Sequence, residues 1–238
     1  MKGQGTINCD AVVLYRRKRK TYSVVTFLTK QRGILHCSIP QRRWQTLKNA
    51  GYLQPFSQVY ITLLPNGEYY DLQQLDGRYL IRSLETDLDS ICYASFAGEF
   101  ISTAFAAEER DSALYSLVLR FAELIRTKPV PLAVILLGWQ LLSLAGFAPS
   151  AKAYQQADGV ARFVKEFRET TGFNLSAAAQ QAVGQILLYD WHEATSVQLP
   201  RILWRELERG LFAYTTVQLG QELSSLKFLH EMQAKAFD

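Results

Sequence analysis

The first 80 residues contain five short runs rich in β-branched and aromatic residues, each bounded by charge, glycine or proline. They are Ala11–Tyr15, Ser23–Thr29, Gly33–Ile39, Gln58–Leu64 and Glu68–Leu72. Runs of this kind predict β-strands. The last two flank Pro65-Asn66-Gly67, where Asn-Gly supplies the positive φ angles that a tight hairpin needs. Five strands in so short a stretch are too few for an open sandwich, and they indicate a small closed barrel.

After Arg82 the pattern becomes helical. Thr86–Asp89 resembles a capping box, and apolar residues then recur at helical spacing from Ile91 to Ile101. Breaks at Pro129–Pro131, Gly146–Pro149 and Gly172–Asn174 separate the later helices. Helices are predicted over about 87–106, 111–127, 131–146, 158–170, 176–190, 199–214 and 216–234.

The predicted fold class is therefore α+β, with a five-stranded barrel followed by an all-α domain. Among such barrels the OB-fold is the commonest nucleic-acid binder. We expect residues 1–82 to form an OB-fold nucleic-acid-binding domain and residues 83–238 to form an α-helical domain that docks partners.

One uncharged stretch, between Lys128 and Lys152, could be mistaken for a membrane span. Prolines open and close it, and Gly138 and Gln140 interrupt it, so its apolar run falls short of the roughly 20 residues that a bilayer requires. We expect a buried central helix and no membrane partner.

Cysteine usage argues against metal and disulfide chemistry. Cys9, Cys37 and Cys92 are odd in number and widely spaced, without the paired spacing of a zinc ribbon. We interpret them as free, mostly buried thiols and expect no cofactor. The first residues show no apolar segment behind their single charge, so a cytoplasmic location is expected.

Charge is strongly segregated along the chain. The first 80 residues carry 12 lysines and arginines against 4 acidic residues, whereas the remaining 158 carry 14 against 18. A basic region confined to one end suggests an anionic polymer as partner, with nucleic acid the leading candidate.

The candidate phosphate contacts are cations that lie between or beyond the strand-like runs, on expected loops: Arg16, Arg17, Lys18, Arg19, Lys20, Arg42, Arg43 and Lys48. Several loosely spaced cations would give salt-dependent binding that is largely independent of sequence. The alternative is that the run from Arg16 to Lys20 is simply a solvated turn.

Three aromatic residues could stack on bases. Trp44, beside Arg42 and Arg43, could serve as a stacking platform or could instead cap the barrel. For Tyr69 and Tyr70, strand alternation requires one of the pair to face inward.

The helical part offers one weaker candidate and no catalytic motif. Arg201, Arg205 and Arg209 recur at i, i+4 and i+8, which is either an ordinary exposed face or an auxiliary track for DNA or an acidic protein tail. Asp190-Trp191-His192-Glu193 lacks a second ligand pair at a recognised spacing and is better interpreted as a polar helix end. No nucleophile elbow or phosphate-cradling loop is present, so an enzyme is not expected.

Five sets of segments, in chain order, resemble those of one known family. They are Ala11–Leu14 with Thr26–Gly33, Leu53–Ser57, Asp87–Leu88 with Ala94–Phe100, Leu141–Pro149, and Gly220–Leu229. The family is RecO, the bacterial recombination mediators of DNA repair, and the resemblance covers nearly the whole chain.

This resemblance implies an OB barrel on a helical domain that binds single- and double-stranded DNA and anneals complementary strands, without catalysis. It also implies partnership with RecR to load RecA onto strands coated by single-stranded DNA-binding protein, whose acidic C-terminal tail would bind the helical domain.

The chain departs from the family pattern at three places. Ser150–Tyr154 follows the Leu141–Pro149 segment without the four cysteines that hold zinc in many relatives. Ser38–Trp44 replaces the family's Ala-Arg-Gly-Ala-Arg loop, and Leu137–Gln140 replaces a charged Phe-Glu-Leu-Arg segment. Zinc is therefore not expected, and a second hypothesis remains open, namely an interaction scaffold whose degenerate barrel does not itself bind DNA.

Overall fold

The computed structural model describes residues 5–81, 83–191 and 199–235. The strands are β1 (Ile7–Lys18), β2 (Tyr22–Thr29), β3 (Gly33–Pro40), β4 (Gln58–Asn66) and β5 (Tyr69–Tyr79). The helices are α1 (Gln41–Thr46), α2 (Ser83–Thr86), α3 (Leu88–Ala104), α4 (Ser112–Leu124), α5 (Val130–Leu144), α6 (Ala151–Tyr154), α7 (Ala157–Thr171), α8 (Ala177–Leu187), α9 (Arg201–Leu219) and α10 (Ser224–Lys235). The chain divides into two compact units, Met1–Thr127 and Lys128–Asp238.

The five strands form a closed barrel in the order β1-β2-β3-β5-β4. Antiparallel pairing of β1 with β4 closes it, and β3 pairs with β5 in parallel through Cys37 and Tyr70. This order, with a helix between β3 and β4, is that of the OB-fold, and the predicted fold class is confirmed. The β4–β5 hairpin also forms as predicted; Gly67 supplies the positive φ, 61°, while Asn66 remains in β4.

The barrel interior is filled by alternate residues of all five strands. Val13, Phe27, Leu35 and Ile61 are fully buried in this core. The short helix α1 packs on the same core through Trp44, with Leu47 just beyond the helix. The strands are longer than predicted, since β1 begins at Ile7 and β5 ends at Tyr79.

A β-bulge interrupts the pairing of β1 with β2. Val13 pairs with Phe27 and Tyr15 pairs with Thr26, so Leu14 is the extra residue. Helix α3 packs on β1 at this point, and a Cβ atom at Gly98 would overlap the Leu14 carbonyl. A glycine is therefore needed here for close approach of helix and strand.

Helices α2 to α4 belong to the same compact unit as the barrel. Asp87 and Asp111 cap α3 and α4 by accepting hydrogen bonds from the backbone N–H groups of Asp89 and Leu114. The strands end at Tyr79 and the helices begin at Ser83, whereas the compact unit that contains the barrel continues to Thr127.

The second unit is built around α5, whose residues Ala133–Trp139 are buried, as expected for a central helix. Trp139, Phe163, Phe167 and Tyr214 form an aromatic cluster, with neighbouring ring centroids 5.0–6.4 Å apart. The predicted break near residue 215 is wrong, because α9 continues to Leu219 and ends at Gly220. The sequence reading also missed the one-turn helix α6.

Three further observations concern membrane and metal chemistry. No described helix is both long and apolar enough to cross a bilayer. Across the described ranges, no group of three or more His, Cys, Asp or Glu side chains could hold a metal ion. Cys37 and Cys92 are buried and Cys9 is half-buried, and all three are free thiols.

Candidate nucleic-acid interface

The five cations expected on a loop lie mostly on a strand. Arg16 and Lys18 are both part of β1, whereas Arg19 and Lys20 begin the turn that follows it. A hydrogen bond from the Arg19 N–H to the Tyr22 carbonyl (2.8 Å) closes this turn. The loop placement was therefore wrong for the first three cations, because β1 extends past the barrel core. All five side chains are exposed, and within the described part of the chain none forms an ion pair.

Alternation along β1 divides these cations between the two sides of the sheet, and the bulge at Leu14 determines which side each one takes. Before the bulge, Val13 faces the barrel core; after it, Arg16 pairs with Val25, which is also a core residue. Directly paired residues point to the same side, and successive residues alternate. Arg16 and Lys18 therefore extend from the core side of the sheet, and Arg17 extends from its outer side.

The core side meets helix α1. The Arg16 guanidinium lies over the Trp44 ring, 4.2 Å from Cζ to the ring centroid. Trp44 is half-buried: its side chain packs on the barrel core and also contacts Arg16. Although the residue as a whole is exposed, partial burial of its guanidinium lowers the pKa of Arg16.

Arg42 and Arg43 occupy α1 rather than the expected loop, which corrects the second loop prediction. Arg43 Nη2 donates to the Gln73 carbonyl at 3.2 Å, next to a register shift in β5 that leaves Gln73 unpaired with β4. Arg43 thus ties α1 to β5, whereas Arg42 is exposed. Lys48 is also exposed and follows α1.

The outer side contains a groove of about 330 Å³, which none of the sequence patterns had indicated. Arg17 and Arg19 line it together with Tyr69 from the β4–β5 hairpin. The other lining residues come from β1, β2, β3, α3 and the hairpin: Tyr15, Val24, Thr26, His36, Glu68, Glu99, Ser102 and Thr103. As alternation required, Tyr70 is buried in the core while Tyr69 is 37% exposed.

Polar side chains line the groove between the arginines and α3. Burial, followed by the charge of Glu99 and a hydrogen bond with it, raises the pKa of Tyr15 to about 12. Thr26 Oγ1 lies 3.1 Å from His36 Nδ1, and burial lowers the pKa of this histidine. Tyr15 is therefore a neutral hydrogen-bonding group at neutral pH, and His36 is driven toward its uncharged form.

The possible auxiliary basic face lies on α9. Arg201, Arg205 and Arg209 are all exposed there, and Arg209 Cζ lies 5.4 Å from the centroid of the Phe173 ring. Glu206, between them in sequence, instead holds Ser176, the N-cap residue of α8, by accepting hydrogen bonds from its backbone N–H (2.6 Å) and hydroxyl (2.8 Å). Of the Asp190–Glu193 segment, His192 and Glu193 lie outside the described residues.

The groove went unnoticed in the sequence because its walls come from distant segments. Glu99 and Thr103 on α3 belong to no recognisable motif. A one-residue bulge determines the β1 side chains that face them. The one available signal was the hairpin alternation, which had identified one of Tyr69 and Tyr70 as outward-facing.

Together, the barrel order and the cations on both sides of one hairpin define the chain's class: an OB-fold protein with a cationic barrel surface. The family model described as Recombination protein O C terminal matches residues 85–227, more than half of the chain, which therefore belongs to the RecO family.

Similarity to named relatives extends over nearly the full length. The chain is 27% identical over 249 residues to DNA repair protein RecO of Symbiobacterium thermophilum, covering 95% of this chain and 98% of the relative. It is 24% identical over 244 residues to DNA repair protein RecO of Lactobacillus delbrueckii subsp. bulgaricus, covering 91% and 94%.

Proposed function

We propose that this chain is a DNA-binding recombination mediator that acts in DNA repair. Residues 1–82 bind single- and double-stranded DNA and anneal complementary strands, while residues 83–238 dock protein partners. With RecR, the chain helps to load RecA onto single-stranded DNA coated by single-stranded DNA-binding protein. Its role is binding and annealing, without a catalytic step.

The observation that carries this proposal is the group of exposed cations without ion pairs on the barrel of a RecO-family chain. Arg16 to Lys20 and Arg42 can neutralise phosphates, because no described carboxylate pairs with them. The groove between the β1–β2 and β4–β5 hairpins lies where OB-folds commonly bind oligonucleotides.

For the acidic tail of the coat protein, we place the proposed docking site between α9 and α10. A groove of about 410 Å³ there is lined by Phe212, Leu226, Arg209 and His230, together with one carboxylate, that of Glu208. Apolar side chains beside a guanidinium suit a peptide that carries both hydrophobic and carboxylate groups.

The test is DNA binding measured by fluorescence anisotropy. The barrel variant changes Arg16, Arg17, Lys18, Arg19, Lys20 and Arg42 to Gln, and keeps Arg43 because it binds the Gln73 carbonyl. The control changes Arg201, Arg205 and Arg209 to Gln. We expect the barrel variant to lose at least about a hundredfold in affinity, since up to six phosphate contacts disappear. The control should retain its affinity.

The scaffold hypothesis has one structural observation in its favour. Arg43 donates a hydrogen bond to the Gln73 carbonyl. Trp44 packs on the barrel core and against Arg16, so both side chains already have partners within the barrel. If neither the intact protein nor the variants bind DNA, the scaffold hypothesis is favoured. Unchanged binding in the barrel variant alone would place the DNA on the helical domain.

A further inference from the structure

The basic β1–β2 hairpin presents two separate cationic surfaces, one on each side of its sheet. The core-side surface consists of Arg16, Lys18, Arg42 and Trp44, and the outer surface is the groove lined by Arg17, Arg19 and Tyr69. We propose that each surface binds its own DNA strand, so that one barrel holds two strands during annealing. The inference rests on the proposed DNA-binding function and extends it.

The core-side surface suits a phosphate backbone. Arg16 is held in place by its contact with Trp44, and Lys18 pairs with Ser23 on the same side of the sheet. Arg42 adds an exposed cation from α1. A positioned guanidinium loses less conformational freedom when it binds a phosphate, so this surface is partly preorganised.

The outer groove suits a base with its phosphate at the rim. Arg17 and Arg19 supply the cations, and the exposed ring of Tyr69 offers a stacking face. Glu68 and Glu99 also line the groove, and their carboxylates oppose a phosphate inside it. A nucleotide of a single strand fits this arrangement, with its base inward and its phosphate toward the arginines.

The bulge sets which cations lie on which surface. Alternation places Arg16 and Lys18 on one side and Arg17 on the other, and α3 holds the extra residue, Leu14, through its close approach at Gly98. One strand could contact both surfaces only by passing around the turn at Lys20 or across the edge of β1 beyond Val13, where β1 no longer pairs with β4. Two strands can occupy them without crossing.

The experiment uses two variants of equal charge. One changes Arg16 and Lys18 to Gln, and the other changes Arg17 and Arg19 to Gln. The binding stoichiometry of an oligothymidine of about eight nucleotides, within the usual site size of an OB-fold, is measured by calorimetry. Annealing of two longer complementary strands is measured by energy transfer between dyes.

We expect two oligonucleotides per chain for the intact protein and one for each variant, with the remaining site unchanged in affinity within about twofold. Annealing should slow at least about tenfold in both variants, since each has lost one strand site. Because Arg16 also contacts Trp44, a third variant changes Lys18 and Arg42 to Gln and should behave like the first.

A stoichiometry of one in the intact protein, with both variants weakening that same site, would overturn the two-strand inference and leave DNA binding by the barrel intact. Absence of binding by the intact protein would overturn the proposed function and this inference with it.

Discussion

The guanidinium of Arg16 lies over the indole of Trp44, with 4.2 Å between Cζ and the ring centroid. This contact joins the end of β1 to helix α1, two segments that the sequence suggested only as separate basic loops. It explains how Trp44 can pack on the barrel core while remaining half-exposed beside Arg42 and Arg43.

Replacing Arg16 and replacing Trp44 should each destabilise the barrel, but by different amounts. Arg16→Gln should lower the free energy of unfolding by about 0.5–1 kcal/mol, the usual value of an exposed cation–π contact. Trp44→Ala should cost more, about 2–3 kcal/mol, because the ring also packs on the core. Urea denaturation measures both, with Lys20→Gln as a surface control; equal losses for the two variants would contradict the account.

Gly98→Ala should strongly destabilise the N-terminal unit. The added Cβ would overlap the backbone carbonyl of Leu14, which cannot rotate away as a side chain could. We expect a loss of about 3 kcal/mol, at the upper end of overpacking effects, in thermal or urea unfolding. Gly51→Ala is the matched control, since its Cβ would have no neighbour within 4 Å, and a similar loss in both variants would refute the explanation.

Gln140 joins α5 to the end of α8 and the residues that follow it, and replacing this side chain should destabilise the helical unit. Nε2 donates to the carbonyls of Ile186 and Tyr189 at 2.9 Å each, and Oε1 accepts from Trp191 Nε1 at 2.5 Å. Gln140→Leu should cost about 2–3 kcal/mol, because partly buried carbonyls at the end of α8 lose their donor.

The control for this prediction is Gln181→Leu, on the exposed face of α8. It should change the unfolding free energy by less than about 0.5 kcal/mol. A loss in the Gln140 variant no larger than that of the control would show that the three hydrogen bonds contribute little.

His36 should make the stability of the protein depend on pH. Burial lowers its pKa below the ordinary value of 6.5, against the opposing effect of the Glu108 carboxylate. Below about pH 6.5 the unfolded chain therefore binds more protons at this histidine than the folded chain does. The contribution of uncharged His36 to the free energy of unfolding is complete above about pH 6.5 and is lost as the pH falls through the folded-state pKa. In His36→Gln, unfolding free energies between about pH 5 and 7.5 should vary less than in the native protein. An identical pH profile would contradict the assignment.

The sequence predicts those structural features that depend on interactions between residues close together in the chain. Alternation along β2 and β3, and the Asn66-Gly67 pair, identified strands and a hairpin because those signals are local. The family resemblance added the barrel's topology.

The site itself was harder to predict. Arg42 and Arg43 are expected on a loop from sequence because a helix of six residues shows no clear periodicity, and α1 is stabilised by its contacts with the barrel. The side on which each cation of β1 lies depends on the Leu14 bulge, which is set by the packing of α3. Non-local packing of this kind leaves no signal in the order of the residues.

The central claim is that phosphate contacts on the barrel surface bind DNA, and the salt dependence of single-stranded DNA binding tests it most directly. The logarithm of affinity should fall linearly with the logarithm of salt concentration, with a slope of about −0.7 per phosphate contact. Neutralising Arg16, Arg17, Lys18 and Arg19 should therefore flatten the slope by about 3. An unchanged slope in that variant would contradict the account.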